Sequence, residues 1–200
     1  MSQDVFSEEF WDERYAADRV WSGAPNPQLV DRVARLRPGR ALDVGAGEGA
    51  DAIWLAEQGW QVTALDISRI ALDKAAAHAV SRGVGVAITW HRTDLNTWVG
   101  EPGTYDLVSA QFMYLDQPAL RALYRRLGDA VAPGGTLLLV GHHPIDPRHG
   151  SHDFPDVRWT PEEAAGWLDR DEWAAIDLAT VRREGHLGTM HDGIVQARRA

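Results

Sequence analysis

Carboxylates set around a run of glycines are the most chemically suggestive feature of this chain. Asp43 precedes Gly45-Ala46-Gly47-Glu48-Gly49, Asp51 follows it, and Asp66 lies further along. Glycines let a turn enter the φ > 0 region and let a ligand approach the backbone without a Cβ in the way. Gly45-x-Gly47-x-x-Ala50 followed by Asp66 fits a dinucleotide fingerprint. A pyrophosphate, however, binds at a helix N-terminus through free N–H groups and the positive end of the dipole. Here it would meet Glu48 inside the turn, Asp51 just after it and Asp43 just before. A cationic ligand suits this ring better, and S-adenosyl-L-methionine carries a sulfonium and an ammonium. An acid at the position of Asp66 suits a ribose diol with either ligand.

His142 and His143 form a second candidate group, for proton transfer. They follow the apolar run Thr136–Val140, which reads as a strand buried on both faces. In open parallel sheets the ligand crevice lies beyond the carboxyl ends of the strands, where these histidines fall. His149, His152 and Asp153 raise a metal reading, but their spacing matches no recognised metal motif. No metal is expected.

The elements that must position these groups alternate between strand and helix. Ala41–Val44 and Gln61–Leu65 read as strands flanking a helix over 51–58 that Gly59 stops. Ser68 caps a helix over 69–81. Val86–His91 reads as a third strand with Val86, Ile88 and Trp90 alternating, and Tyr105–Ala110 as a fourth. A helix opens at Asp116 and Pro118, with Leu120, Leu123, Tyr124 and Leu127 on one face and Arg121, Arg125 and Arg126 toward water. Pro133-Gly134-Gly135 reads as a turn into the fifth strand. Thr160-Pro161-Glu162-Glu163 is a capping box that starts a helix over 161–168. Strands over 173–183 and 193–198 share a loop with no helical pattern, so they pair antiparallel. Ahead of all this, Phe10, Trp11, Arg14 and Tyr15 fall at helical spacing, and Asn26-Pro27 starts a helix carrying Leu29, Val30, Val33 and Leu36.

Five ordered motifs carry a resemblance. Leu42-Asp43-Val44-Gly45-Ala46-Gly47-Glu48-Gly49 and Ala64-Leu65-Asp66-Ile67-Ser68 come first. Thr93-Asp94-Leu95, Tyr105-Asp106-Leu107-Val108 and Ala132-Pro133-Gly134-Gly135-Thr136 follow. Together they resemble the class I S-adenosylmethionine-dependent methyltransferases, well over residues 40–141 and loosely beyond. The resemblance implies an α/β, doubly wound, Rossmann-like sheet of seven strands, mostly parallel, with an antiparallel C-terminal hairpin. The seventh strand would insert beside the fifth.

The resemblance also implies a cofactor site of Asp43, Gly45, Ala46, Gly47, Asp66 and Ile67. Asp94 would accept from an adenine amino group and Leu95 would cover the ring. Backbone near Ala110 and Gln111 would touch the cofactor, with Phe112, Met113 and Tyr114 facing the acceptor. Trp11-x-x-Arg14-Tyr15 with Trp21, then Pro25-Asn26-Pro27, is similar to the N-terminal arm of tellurite-resistance and thiopurine methyltransferases. That likeness places Tyr15 and Trp21 near the methionine portion, with Arg14 at its carboxylate. His143 and His142 stand as the expected catalytic pair.

Residues 1–200 are expected to form a single methyltransferase domain. Its parts are an N-terminal lid or helical arm over 1–38, a cofactor-binding core over 39–145, and an acceptor-side loop and hairpin over 146–200. A net charge of −9, with one lysine and no long basic run, argues against a nucleic-acid partner, whose phosphates need neutralising. No apolar run approaches the roughly 20 residues of a membrane span. Cysteine is absent, which removes disulfide frameworks and thiolate chemistry, and the acidic N-terminus does not read as a signal peptide. A cytoplasmic monomer or homodimer is expected, acting on a small-molecule acceptor: a thiol or chalcogen, or an oxygen or nitrogen of a natural product. Two rivals remain, an NAD(P)-dependent oxidoreductase and a non-catalytic S-adenosylmethionine-binding protein.

Overall fold

The architecture is taken from a computed structural model that describes residues 7–16, 20–146, 156–185 and 188–200. His149, His152 and Asp153 lie outside those residues. Local signals in the sequence start most helices. Ser7 accepts from the Phe10 N–H at the head of α1 (Glu8–Tyr15), and Asn26 accepts from Gln28 at the head of α2 (Pro27–Val33). Strand β1 (Arg40–Val44) runs into α3 (Ala50–Glu57), then β2 (Gln61–Asp66). Ser68 caps α4 (Arg69–Ser81), which leads to β3 (Ile88–Arg92) and β4 (Tyr105–Gln111). Asp116 caps α5 (Gln117–Ala130), followed by β5 (Val131–His142). Both halves of the capping box at Thr160 and Glu163 are made at α6 (Pro161–Ala165). The hairpin of β6 (Trp173–Gly185) and β7 (Gly188–Arg199) ends the fold.

These strands make one seven-stranded sheet in the order β3-β2-β1-β4-β5-β7-β6. It is parallel from β3 to β5, and β7 lies antiparallel between β5 and β6, as the motif order implied. Alternate residues go to opposite faces. Leu42, Val44, Val108, Leu137, Leu139 and Val195 pack in one cluster with Leu120, Leu123, Tyr124 and Leu127 of α5. Ala41, Leu107, Leu138, Val140 and Ile194 pack on the other face with Leu29 and Val33 of α2 and Ile53 and Leu55 of α3. Among the described residues no helix is long and apolar enough to cross a membrane.

Several local expectations are corrected. Val86 belongs to a 3₁₀ turn (Gly85–Ala87) ahead of β3 and is fully exposed, because that turn's period of three breaks the alternation of a strand. Helix α2 stops at Val33, short of Leu36, and α6 stops at Ala165. Pro133-Gly134-Gly135 is a bulge inside β5: Tyr105 pairs with Val131, yet Leu107 pairs with Thr136. Arg126, placed toward water, sends its guanidinium to the Leu95 carbonyl at 2.7 Å, since its long stem reaches under the β3–β4 connection.

Near the carboxyl end of β5, Gly141 pairs with Gly193 of β7, and the fully buried Trp159 lies against both. A Cβ on Gly141 would stand 2.6 Å from the indole. Gly141→Ala therefore overpacks this slot and is expected to cost about 1–3 kcal/mol of stability. Denaturant unfolding measures it, and an unchanged midpoint contradicts the slot.

Candidate active site

The glycine turn is held from β2. Gly45 and Ala46 both donate their N–H groups to the Leu65 carbonyl, at 2.8 and 2.9 Å. Asp66 Oδ2 accepts from the Gly47 N–H and Oδ1 from the Ser68 N–H, each at 2.8 Å. Gly47 adopts φ +52°, and a Cβ there would lie 2.9 Å from the Tyr15 hydroxyl. Its glycine thus serves both the backbone conformation and the close approach of the N-terminal arm.

Asp43, Ser109 and Gln111 share one face of adjoining strands, since Asp43 and Ser109 are partners in the β1–β4 register. Asp43 accepts from the Ala52 main-chain N–H, but its buried Oδ2 has no partner among the described residues. Gln111 donates to Ser109 Oγ at 2.7 Å, and its Oε1 is likewise buried and unpartnered. Two orphan acceptors at the ends of neighbouring strands call for a ligand rich in donors, and an ammonium fits. Burial holds the Asp43 carboxyl well above the usual range, reinforced by the charges of Asp51 and Asp66. Burial also raises Asp66, and it raises Asp51 to about 6.

The other two carboxylates of the ring face the arm, which corrects the expectation that they confront the ligand. Glu48 Oε2 accepts from the main-chain N–H groups of Val20 and Trp21, at 3.2 and 3.3 Å, and Oε1 lies 3.5 Å from Lys74 Nζ. Asp51 accepts from the Asn26 N–H at 2.6 Å. Asp12 of α1 is hydrogen-bonded to Ser68 at the head of α4, and Glu8 pairs with Arg92 at 2.8 Å. The arm so docked brings Tyr15, buried, over Gly47, with the Trp21 indole N–H donating to the Tyr15 hydroxyl at 2.8 Å. Arg14 stacks over Trp21 at 5.5 Å. The arm residues named in the sequence therefore do gather at the turn. Glu48, Asp51 and Asp12 as its anchors were missed, because each bond spans 25 residues or more.

Beyond the ends of β2 and β3 opens a cavity of about 440 Å³ lined by Ser7, Glu8, Ile67, Arg92, Thr93, Asp94 and Asn96. Ile67 and Asp94 meet there as expected. Asp94 Oδ1 accepts from the Asn96 N–H and side-chain amide, at 2.9 and 3.0 Å. Leu95 is instead buried in the cluster against α5, because strand alternation gives way to a turn at Asp94.

On the other side, Phe112 leaves β4 with φ +49°, a sparsely populated conformation for a bulky residue. Its ring lies 4.6 Å from His142, with Arg183 over it at 5.5 Å. Met113 approaches Gly45, and Tyr114 meets Trp11 of the arm at 5.5 Å between ring centroids. His143 Nδ1 accepts from the Ile145 N–H at 3.1 Å, so the neutral ring carries its proton on Nε2 and acts there as a donor. Among the described residues no cluster of three or more His, Asp or Glu side chains is placed to hold a metal ion.

Residues 41–135 match the model of a family described as a methyltransferase domain. The chain is similar to the ubiquinone biosynthesis O-methyltransferase of Xanthomonas campestris, 30% identical over 176 residues, covering 78% of this chain and 72% of that one. It is 29% identical over 145 residues to a 2-heptyl-1-hydroxyquinolin-4(1H)-one methyltransferase of Mycobacteroides abscessus. That match covers 69% of this chain but only 63% of the relative, so the chain spans less than two thirds of its length. In fold it is similar to TehB from Haemophilus influenzae, with TM-score 0.73, 18% identity, and 96% and 67% of the two chains covered. A structure from echinomycin biosynthesis, concerned with converting a disulfide bond into a thioacetal group, superposes with TM-score 0.74 at 24% identity over 96% and 92%.

Two measurements test this site. Raised carboxyls keep protons that the unfolded chain releases, so the stability they favour at low pH is lost as pH rises from their ordinary value, roughly 4, through their raised values, about 6 for Asp51. A bound cation offsets that loss. The thermal stabilisation given by S-adenosylmethionine is expected to grow between pH 5 and pH 8, and an equal shift at both contradicts the orphan-acid assignment. Glu48→Gln is expected to speed amide exchange at Val20 and Trp21 by about tenfold, since hydrogen bonds to charged groups contribute about 1.5–3 kcal/mol. Unchanged exchange removes Glu48 as the arm's anchor.

Proposed function

The chain belongs to the class I S-adenosylmethionine-dependent methyltransferases, and from that premise we propose that it methylates a hydroxyl oxygen on a flat, aromatic small molecule. Membership removes the oxidoreductase reading of the glycine turn. S-adenosylmethionine, the cofactor of this family, supplies a methyl carbon made electrophilic by its sulfonium. Asp43 and Gln111 hold its ammonium through their orphan oxygens, and Arg14 takes its carboxylate. Asp66 accepts from the ribose with the lone pairs left by Gly47 and Ser68. Ile67 and Asp94 receive the adenine in the cavity beyond β2 and β3. Tyr15 and Trp21 cover the sulfonium end and exclude water from it.

The observation that carries the acceptor class is the set of aromatic rings beyond the end of β4, where Tyr114 meets Trp11 of the arm and Phe112 lies against the His142 ring. Rings of this kind stack on planar ligands and leave little that would select an aliphatic amine. The two sequence relatives support the same reading, one being an O-methyltransferase and the other a methyltransferase of a hydroxyquinolone. Because the methyl is already activated, the main task of the chain is to orient the acceptor oxygen behind it. Such orientation supplies effective molarities of about 10⁵ M or more.

Labelled S-adenosylmethionine offered with catechol, 2-heptyl-1-hydroxyquinolin-4(1H)-one, thiophenol and aniline tests the proposal. Label is expected on the hydroxyl acceptors. Label on thiophenol or aniline alone overturns the hydroxyl assignment.

A further inference from the structure

Strand register carries one face of the sheet from the methyl donor to the last edge strand. Asp43 of β1 pairs with Ser109 of β4, and Gln111, two residues on, pairs with Val140 of β5. Two residues beyond Val140, His142 pairs with Asp192 of β7. Asp192 in turn pairs with Val181 of β6, two residues before Arg183. Ladder partners share a face, as do residues two apart along a strand. Gln111, His142, Asp192 and Arg183 therefore stand on the face that carries Asp43, near its carboxyl edge.

Arg183 leaves β6 three strand spacings, about 14 Å, from Gln111 and reaches back across that gap. Its guanidinium carbon lies 5.5 Å from the centre of the Phe112 ring, which follows Gln111 directly and lies 4.6 Å from the His142 ring. Asp192 fixes the other side of the group: Nε donates to Oδ1 at 2.7 Å, and that carboxylate keeps only 2% of its side-chain surface. Among the described residues Arg183 has no other hydrogen-bond partner, so the N–H groups of both Nη atoms remain for a ligand. The side chain keeps 32% of its surface, which leaves them within reach. A buried acid at Nε and a ring against its plane orient this fork before anything binds to it.

An oxyanion suits the fork, and the local charge limits it to one negative charge. Asp192 already opposes Arg183; burial holds its carboxyl up, and Asp146 adds to that against the pull of Arg183. The neighbouring cation on β6, Arg182, is paired with Glu184 at 2.6 Å. A phosphate dianion would bring more charge than one guanidinium offsets, whereas a carboxylate matches its paired donors.

We propose that Arg183 selects the acceptor by a carboxylate, with Asp192 as its positioning residue, which makes the substrate class the hydroxyaryl carboxylic acids. The assignment deepens the hydroxyl reading argued above and rests on it. With the cofactor ammonium at Asp43 and Gln111, the acceptor lies beside Phe112, its hydroxyl toward the methyl carbon and its carboxylate toward Arg183.

Labelled S-adenosylmethionine offered with 3,4-dihydroxybenzoate or its methyl ester tests this, because the ester also withdraws electrons from the ring but carries no charge. In the wild type kcat/KM for the acid is expected to exceed that for the ester at least tenfold, through KM. In Arg183→Gln the ratio is expected to fall to about one, since hydrogen bonds between charged groups contribute on that scale. An equal ratio in the wild type, or one that Arg183→Gln does not move, overturns the assignment, and methylation of the ester then leaves the hydroxyl reading intact. Label on thiophenol or aniline with none on either dihydroxy compound overturns both. Calorimetry on the complex with S-adenosylhomocysteine needs no turnover. There the acid is expected to bind at least tenfold tighter than the ester in the wild type only, and equal binding overturns the assignment. Arg183→Gln combined with Asp192→Asn leaves no unpaired buried acid and is expected to show the same loss. A cooperative melt checks that each variant is folded. A folded variant that has lost the stabilisation given by S-adenosylhomocysteine puts Arg183 on the cofactor instead and overturns the assignment.

Discussion

The structure depends on the hold that β2 has on the loop leaving β1. The Leu65 carbonyl takes two successive N–H groups of the glycine turn, and the Asp66 carboxylate takes a third while its other oxygen fixes the start of α4. These bonds replace the water that a turn of this kind would otherwise need, because an unpaired buried N–H costs as much as a lost hydrogen bond. They also fix how close the turn stands to the neighbouring strand ends. Asp43 can then stand beside Ser109 in register, with Gln111 two residues further on, only because β1 is locked between β2 and β4.

From this constraint follows a division of labour among the acids. Charge counted along the sequence suggests a uniform negative ring, but its members have different partners, and Asp43 keeps a buried oxygen that no described residue meets. Glu48 and Asp51 accept main-chain N–H groups from the segment before β1, and Asp12 reaches across to Ser68. At Val20 and Trp21 the arm is held through its backbone, so that hold is insensitive to the side chains carried there. Tyr15 and Trp21 are thereby free to be chosen for the ligand. Asp51 thus docks the cover and, together with Asp66, creates at Asp43 a field that favours a cation.

The sheet was legible because its signals are local and repeated. Apolar runs at Ala41–Val44 and Thr136–Val140, glycines after the first strand, and caps at Ser68, Asp116 and Thr160 each specify structure within a few residues. The failures also have causes. Val86 kept a strand's alternation while a single 3₁₀ turn set its direction, and Leu95 followed a turn that reversed which way it faces. His142 and His143 drew attention as adjacent histidines at a strand end, yet periodicity says nothing about which ring nitrogen a neighbour will occupy. The Asp146–His191 contact joins residues 45 apart, one in a turn and one inside a strand, and no pattern in the sequence announces it.

The antiparallel half of the sheet reaches the same carboxyl edge as the parallel half by a different route. A strand inserted between β5 and β6 runs back toward the carboxyl edge, so it brings its own early residues to the place where parallel strands bring their last. Met190 to Asp192 reach the carboxyl edge for this topological reason; a parallel seventh strand would have put them at the far edge. The Gly141–Gly193 pair lies one step inside the His142–Asp192 pair, and the Trp159 indole packs on the sheet face against both glycines.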